Sequence, residues 1–110
     1  MRRDILKWLH DALEACRAIQ EFSCGHTLES YETNDMIRSA IERKFEIVAE
    51  ALNKVRKEDP SFCERLPEVV NIIGMRNHIT HGYDTVSHVV VWDAVQFHVP
   101  HLIRVLEQEM

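Results

Sequence analysis

Long stretches of helical periodicity with few helix-breaking residues constrain the fold of this sequence more than any other feature. Only three glycines and three prolines occur in 110 residues. Within the first segment, apolar residues recur at spacings of four and three, at Ile5, Leu9, Ala12, Cys16 and Ile19. This spacing places them on one face of an amphipathic helix. We therefore expect an all-α domain whose first helix ends before the Ser-Cys-Gly triplet at 23–25.

A second long helix is predicted after the polar segment HTLESYETND, which has room for one short helical turn. Asn34 and Asp35 supply a cap and a first-turn acid. Pro60 ends the helix, because proline cannot continue it and disfavours helical geometry at the preceding residue. The apolar face of this helix is predicted to consist of Ile37, Ile41, Phe45, Val48, Leu52 and Val55.

Two further helices are predicted in the second half of the chain. Pro67 suits a first helical turn, and the helix that it opens is expected to stop at Gly82. Three consecutive valines at 89–91 would also suit a strand, but the longer helical periodicity outweighs them. Pro100 is expected to kink or restart the last helix. The buried face of that helix is predicted to include Val89, Trp92, Val95, Val99, Leu102 and Leu106.

Four helices joined by short links predict an antiparallel up-and-down four-helix bundle, with residues 1–110 forming one domain. Apolar residues make up 45% of the chain and charged residues 28%, as in ordinary globular proteins. The formal net charge of −5 argues against a protein that coats nucleic acid through a broad basic face. We expect a cytoplasmic protein without a signal peptide or a membrane span.

Helical bundles often hold metals, so the histidines and cysteines of this chain are candidate ligands. A di-iron bundle needs Glu-x-x-His pairs, and no histidine here has a glutamate three residues before it. His98 and His101 have a suitable spacing, but Pro100 lies between them and no third ligand is indicated. Cys16, Cys24 and Cys63 form no CxxC pair and are predicted to be free thiols in a reducing compartment. We therefore expect neither a metal nor a cofactor.

The stretch MRNHITHGYD at 75–84 places two histidines, an arginine and a tyrosine within eight residues. On a regular helix Arg76 would lie within about 40° of the centre of the apolar face. Asn77, His78 and His81 would lie on the opposite, polar arc. Arg76 and His81 would then be about 140° apart, so one straight helix does not easily direct both at one phosphate.

Three interpretations of this stretch remain open on geometry alone. The helix unwinds near Gly82 and redirects His81, or two copies of the chain meet so that Arg76 and His81 of both line one cleft. Alternatively the residues are structural, with His81 at a helix end and Arg76 paired with a buried carboxylate. The basic run of Lys54, Arg56 and Lys57 is interpreted as complementing a helix dipole.

The motif resembles that of a known family. Arg76-Asn77 followed by His81-x-Tyr83 is similar to the R-x4-H-x-Y form of the HEPN superfamily signature. The flanking NIIGMRNHITHGY, the later VWDAV and the earlier IERKFEIVAEAL resemble the HepT-like toxins encoded beside minimal nucleotidyltransferases. One departure is Ala49, where the family pattern would have glycine, and it affects helix packing rather than chemistry.

The resemblance implies a metal-independent endoribonuclease that is the toxin of a toxin–antitoxin pair. It implies a homodimer that can enter a larger complex with its partner, a minimal nucleotidyltransferase antitoxin. Arg76 and His81 would be catalytic, Asn77 would support them, and the antitoxin would adenylylate Tyr83. His78 lies outside the motif and is expected to be structural.

These residue types suit RNA cleavage chemically. A histidine that titrates near neutrality can take the proton of a ribose 2′-OH or protonate the leaving 5′-oxygen. An arginine can hold the charged phosphoryl oxygens through two parallel hydrogen bonds. Two alternatives are a non-catalytic nucleotide-binding or substrate-binding subunit of a two-component nucleotidyltransferase, and a purely structural bundle.

Overall fold

The structure is a computed structural model that describes residues 3–81 and 87–110, with only the backbone described at 76–78, 80 and 81. Within these residues the chain is helical and contains no strand. The elements in chain order are α1 (Arg3–Ser23), α2 (Leu28–Thr33), α3 (Asp35–Glu58), α4 (Pro60–Glu64), α5 (Pro67–His81), α6 (His88–Asp93), a π-helical segment (Ala94–His98) and α7 (Val99–Glu109). The predicted all-α bundle is confirmed.

Helices α1 and α3 form the principal packing pair of the bundle. Helix α7 packs on α1, and α5 packs on α3. The predicted apolar faces of α1 and α3 are confirmed, since all of their residues are buried except Ile37, which is partly buried against the same core. Burying a side chain of this kind stabilises the fold by about 1.5–3 kcal/mol relative to leaving it in water. No helix in the described part of the chain has the length and apolar character needed to cross a bilayer.

Side-chain caps fix where the helices begin. The Asn34 side chain accepts a hydrogen bond from the Ile37 backbone N–H at 3.1 Å, which confirms the predicted start of α3. Helix α2 begins with a capping box, in which the Thr27 side chain accepts from the Ser30 N–H at 3.2 Å and the Ser30 hydroxyl accepts from the Thr27 N–H at 2.8 Å. This box stabilises a helix of six residues where the sequence indicated only a short turn.

The end of α3 and the start of α5 follow the predicted proline positions. Asp59 accepts a hydrogen bond from the Phe62 N–H at 3.4 Å, so Pro60 opens the short helix α4 after α3 ends. Helix α5 begins at Pro67 as predicted. Its apolar face points into the core, with Val69, Ile72 and Met75 buried.

The last helix is interrupted by the π-helical segment before Pro100. Proline has no N–H, and its ring clashes with the carbonyl four residues earlier. The helix before Pro100 therefore forms wider π-helical turns, in which each hydrogen bond spans five residues instead of four. The interruption at Pro100 is confirmed. The prediction that Val89 is buried is wrong, since Val89 is 50% exposed while Val91 is fully buried. Val91 lies one turn before Val95 and takes the inward position.

Candidate functional site

Helix α5 carries three of the four residues singled out in the sequence. Arg76, Asn77 and His81 lie in its last two turns, and the backbone remains α-helical through His81. Tyr83, the predicted modification site, lies outside the described residues, as does Gly82. The structure therefore places Arg76, Asn77 and His81 on one helix end close to the connection that carries Tyr83.

The helical backbone fixes the directions in which these residues leave α5. Arg76 and His81 are five residues apart, which corresponds to about 7.5 Å of rise and about 140° of rotation. Position 76 follows the buried Ile72 by four residues and precedes the partly buried Ile79 by three. The backbone is α-helical through His81, and Gly82, where one of the three interpretations has the helix unwind, lies outside the described residues.

The first turns of α5 pack against the rest of the bundle. Its buried residues contact α3, and Glu68 in its first turn lies across from α7, where the Nδ1 atom of His101 is 3.6 Å from its carboxylate. His101 therefore has a partner other than His98. No group of three or more His, Cys, Asp or Glu side chains suited to a metal occurs within ranges 3–81 and 87–110, apart from the side chains that are not described.

An aromatic cluster positions the start of α6, which is the far end of the connection that contains Tyr83. The fully buried ring of Tyr31 on α2 meets His88 edge-on at 5.7 Å and lies 5.4 Å from Trp92 between ring centroids. The hydroxyl of Ser87 accepts a hydrogen bond from the Val90 N–H at 3.3 Å and caps the helix. Sequence reasoning missed Tyr31. The signal that could have found it is the Thr27-x-x-Ser30 capping box, which predicts a helix around it.

Two titratable groups near this cluster are shifted by burial. The pKa of the Glu42 carboxyl is raised by desolvation, while the charges of Arg38 and His88 act in the opposite direction. The pKa of Tyr31 is also raised, first by burial and then by the charge of Glu42. The Tyr31 hydroxyl is buried and has no hydrogen-bond partner among the described residues. A buried, unpaired hydroxyl is a local cost to stability.

The three cysteines are free thiols, as predicted. Burial raises the pKa of Cys16 to about 12 and is the main cause that raises the pKa of Cys63 to about 11. Both thiols are therefore protonated at neutral pH and unsuited to nucleophilic catalysis. Cys24 is exposed. The basic run near the end of α3 forms local pairs, with Arg56 donating to the Asn53 side chain at 2.7 Å and Lys54 lying 3.8 Å from Glu50.

Comparison with known proteins identifies a family that covers nearly the whole chain. The profile of the family described as Ribonuclease HepT-like matches residues 12–109. This range includes α3, α5, the motif and the terminal helices. No solved structure matches the chain.

Several curated relatives are similar over almost their full lengths. Two come from Methanocaldococcus jannaschii. "Putative RNase MJ1380" is 30% identical over 108 residues, which cover 96% of both chains. "Putative RNase MJ1216" is 28% identical over 109 residues, which cover 97% of this chain and 88% of the relative. A bacterial relative, "Putative RNase TTE0752" of Caldanaerobacter subterraneus, is 25% identical over 101 residues, covering 92% of this chain and 89% of the relative.

Proposed function

Because the chain belongs to the HepT-like ribonuclease family, we propose that it is a metal-independent endoribonuclease and the toxin of a toxin–antitoxin pair. The observation that carries the proposal is the position of Arg76, Asn77 and His81 at the end of α5, inside the matched residues. In this proposal His81 moves the proton and Arg76 holds the phosphate. Asn77 positions the phosphate or the His81 ring, since it lies one turn before His81.

The proposed chemistry is a phosphoryl transfer within RNA. His81 takes the proton of the ribose 2′-OH, the 2′-oxygen attacks the adjacent phosphorus, and the bond to the 5′-oxygen breaks. The leaving 5′-oxygen takes a proton from water, His81 releases its proton to the solvent, and a 2′,3′-cyclic phosphate remains. Arg76 stabilises the negative charge that gathers on the phosphoryl oxygens in the transition state.

The directions of Arg76 and His81 support a homodimeric site. Helix α5 is regular through His81, so the two side chains of one chain start about 140° apart. A second copy would allow Arg76 of one chain and His81 of the other to face the same phosphate. Exposed apolar residues on α6 and the π-helical segment support such an association, since Val89 is 50% and Phe97 71% exposed.

Mixed dimers of two inactive variants test this arrangement. Arg76→Ala and His81→Ala chains carrying different tags are co-expressed, and dimers with one copy of each are purified. If each site takes Arg76 from one chain and His81 from the other, one of the two sites stays intact, and RNA cleavage in EDTA should be about half of the wild-type rate.

Two results would count against the shared site. One is mixed dimers that cleave no faster than either single variant. The other is wild-type chain that cleaves RNA while sedimenting as a monomer at assay concentrations. Phe97→Ser should weaken self-association and cleavage together. Leu6→Ser on α1, where the side chain is 39% exposed, serves as the matched control and should alter neither.

We further propose that the chain is neutralised by a minimal nucleotidyltransferase that adenylylates Tyr83. A bulky anionic nucleotide two residues beyond His81 would repel RNA by charge and block it sterically. The chain has only two tyrosines, and Tyr31 is fully buried. Modification at the surface is therefore expected at one position.

Mass spectrometry after co-expression with the neighbouring nucleotidyltransferase tests this regulation. We expect the mass of AMP on the peptide that contains Tyr83, with none on the peptide that contains Tyr31, and a loss of RNA cleavage. Tyr83→Phe should prevent the added mass. An unmodified Tyr83 together with AMP on another residue would contradict the assignment.

The alternative proposal, a nucleotide-binding subunit of a two-component nucleotidyltransferase, predicts a different outcome. Calorimetry would then show nucleotide binding that depends on Arg76, and RNA would remain intact at every protein concentration. Cleavage that depends on His81 separates the two proposals.

A further inference from the structure

An open groove lies between α5, the helix that carries Arg76 and His81, and the stretch formed by α6 and the π-helical segment. Its volume is about 470 Å³, and the lining residues that matter here are Asn71, Gly74, Met75, Val90, Ala94 and His98. We propose that this groove binds a nucleobase of the RNA substrate near the cleaved phosphate, and that Asn71 recognises the edge of that base. The inference rests on the proposed ribonuclease function and adds a specificity site to it.

Gly74 is the first observation that points to a ligand. A glycine inside a helix destabilises it by about 0.5–1 kcal/mol relative to alanine. Gly74 is exposed on α5, and a Cβ atom added there would meet nothing within 4 Å. Packing against the residues that the structure describes therefore does not require glycine at this position. A flat molecule that approaches the α5 backbone closely does require it, because a methyl group would hold that molecule away.

The chemistry of the walls fits an aromatic base. Met75, Val90 and Ala94 supply an apolar surface, and Val90 is 53% exposed toward solvent. Asn71 adds an exposed amide and His98 a partly buried imidazole, and neither side chain has a hydrogen bond to another described residue. An apolar pocket with a few polar groups is typical of small-ligand sites. An amide can donate to a base edge and accept from it at once.

The position of the groove relative to the motif links it to cleavage. Gly74 and His81 are seven residues apart, so they lie within about 20° of each other on α5 and about 10 Å apart along it. Three stacked nucleotides span about this distance. One wall is the π-helical segment that ends at His98, and π-helical turns are frequent at functional sites. A strand that enters at Gly74 thus continues along the same face to His81.

Charge distinguishes this groove from the groove between α1 and α3. The groove between α1 and α3 has a volume of about 490 Å³ and is lined by three carboxylates, Asp11, Glu14 and Glu50, beside two lysines. Those carboxylates would repel a phosphate backbone. Among the residues that the structure describes, no acidic side chain lines the groove beside Gly74. In an acidic chain, this part of the wall is a surface that RNA can approach without meeting a carboxylate.

Cleavage of short RNAs that differ in one base near the cut tests the proposal. For wild-type chain we expect kcat/KM to differ at least tenfold between the best and the worst base at one flanking position. Asn71→Ala should reduce that ratio to about twofold, because it removes the paired hydrogen bonds that discriminate bases. Gly74→Ala should lower kcat/KM for all bases while raising the melting temperature, since alanine favours the helix.

Gln96→Ala is the matched control, because it removes an amide from the same π-helical segment but on the side that faces a different cavity. It should leave the base preference unchanged. A preference that survives Asn71→Ala would overturn the inference and leave the proposed ribonuclease standing. So would weaker self-association of the Gly74→Ala and Asn71→Ala variants with unchanged base preference, which would make the groove a contact between copies. Wild-type chain that cleaves none of the RNAs would instead overturn the proposed function, and the groove assignment with it.

Discussion

Replacing His81 with alanine is expected to lower the rate of RNA cleavage by about 10²–10⁴-fold, the usual contribution of a general acid or base. His81 is the last residue of α5, where a substitution disturbs few hydrogen bonds of the helix. The loss should therefore appear in kcat with little change in the melting temperature. Cleavage assays in EDTA, with circular dichroism of the same samples, measure both quantities.

The control for this variant is His10→Ala, which removes an exposed histidine from α1. It should leave kcat unchanged. Cleavage that persists in the His81→Ala variant would show that another group carries the proton. Activity that disappears when EDTA is added to wild-type chain would show that a metal takes part in the reaction. Either outcome would contradict the mechanism proposed for Arg76 and His81.

Replacing Tyr31 with alanine is expected to lower the free energy of unfolding by about 3–5 kcal/mol, as for other buried aromatic residues. The fully buried ring fills the space between α2 and α6 and contacts His88 and Trp92. Its removal leaves a cavity at the start of α6. A loss of this size is a large part of the stability of a small domain. Urea unfolding measures this loss as a lower midpoint concentration, provided that the m-value of the variant equals that of wild type.

Tyr31→Phe is the informative companion, because it keeps the ring and removes only the hydroxyl. That hydroxyl is buried without a hydrogen-bond partner among the described residues, so its removal should raise the free energy of unfolding by about 1 kcal/mol. A loss of stability in the phenylalanine variant would mean that the hydroxyl is hydrogen-bonded in solution. Equal stability of the alanine variant and wild type would contradict the packing role of the ring.

The fold was predictable from the sequence where one physical rule decided the outcome. The spacing of apolar residues fixed the buried faces of α1 and α3, and Asn34 and Pro67 marked helix starts, because caps and prolines act locally. Tyr31 was not predicted as a core residue, since its burial depends on how α2 docks onto α6. Extrapolating the apolar spacing along the helix predicted that Val89 is buried. Val91 is buried instead, because it lies one turn before the buried Val95.

The candidate site was predictable in part for a similar reason. Residue types and spacing drew attention to Arg76, Asn77 and His81, and the resemblance to a family gave them a proposed role. A regular helix predicts the angles between these positions within one chain, so it left open how Arg76 and His81 would meet at one phosphate. The groove beside Gly74 had no signal in the sequence, because its second wall comes from residues about twenty positions further along the chain.

The π-helical segment at Ala94–His98 has a consequence for comparing this chain with its relatives. A π turn contains one more residue than an α turn, so a relative that continues as a plain α-helix would need one residue fewer to keep α7 in the same orientation. Such a relative should align with a single-residue gap between positions 94 and 98. Deleting one residue there would otherwise rotate every later side chain by about 100°, which would turn Leu102 and Leu106 away from α1.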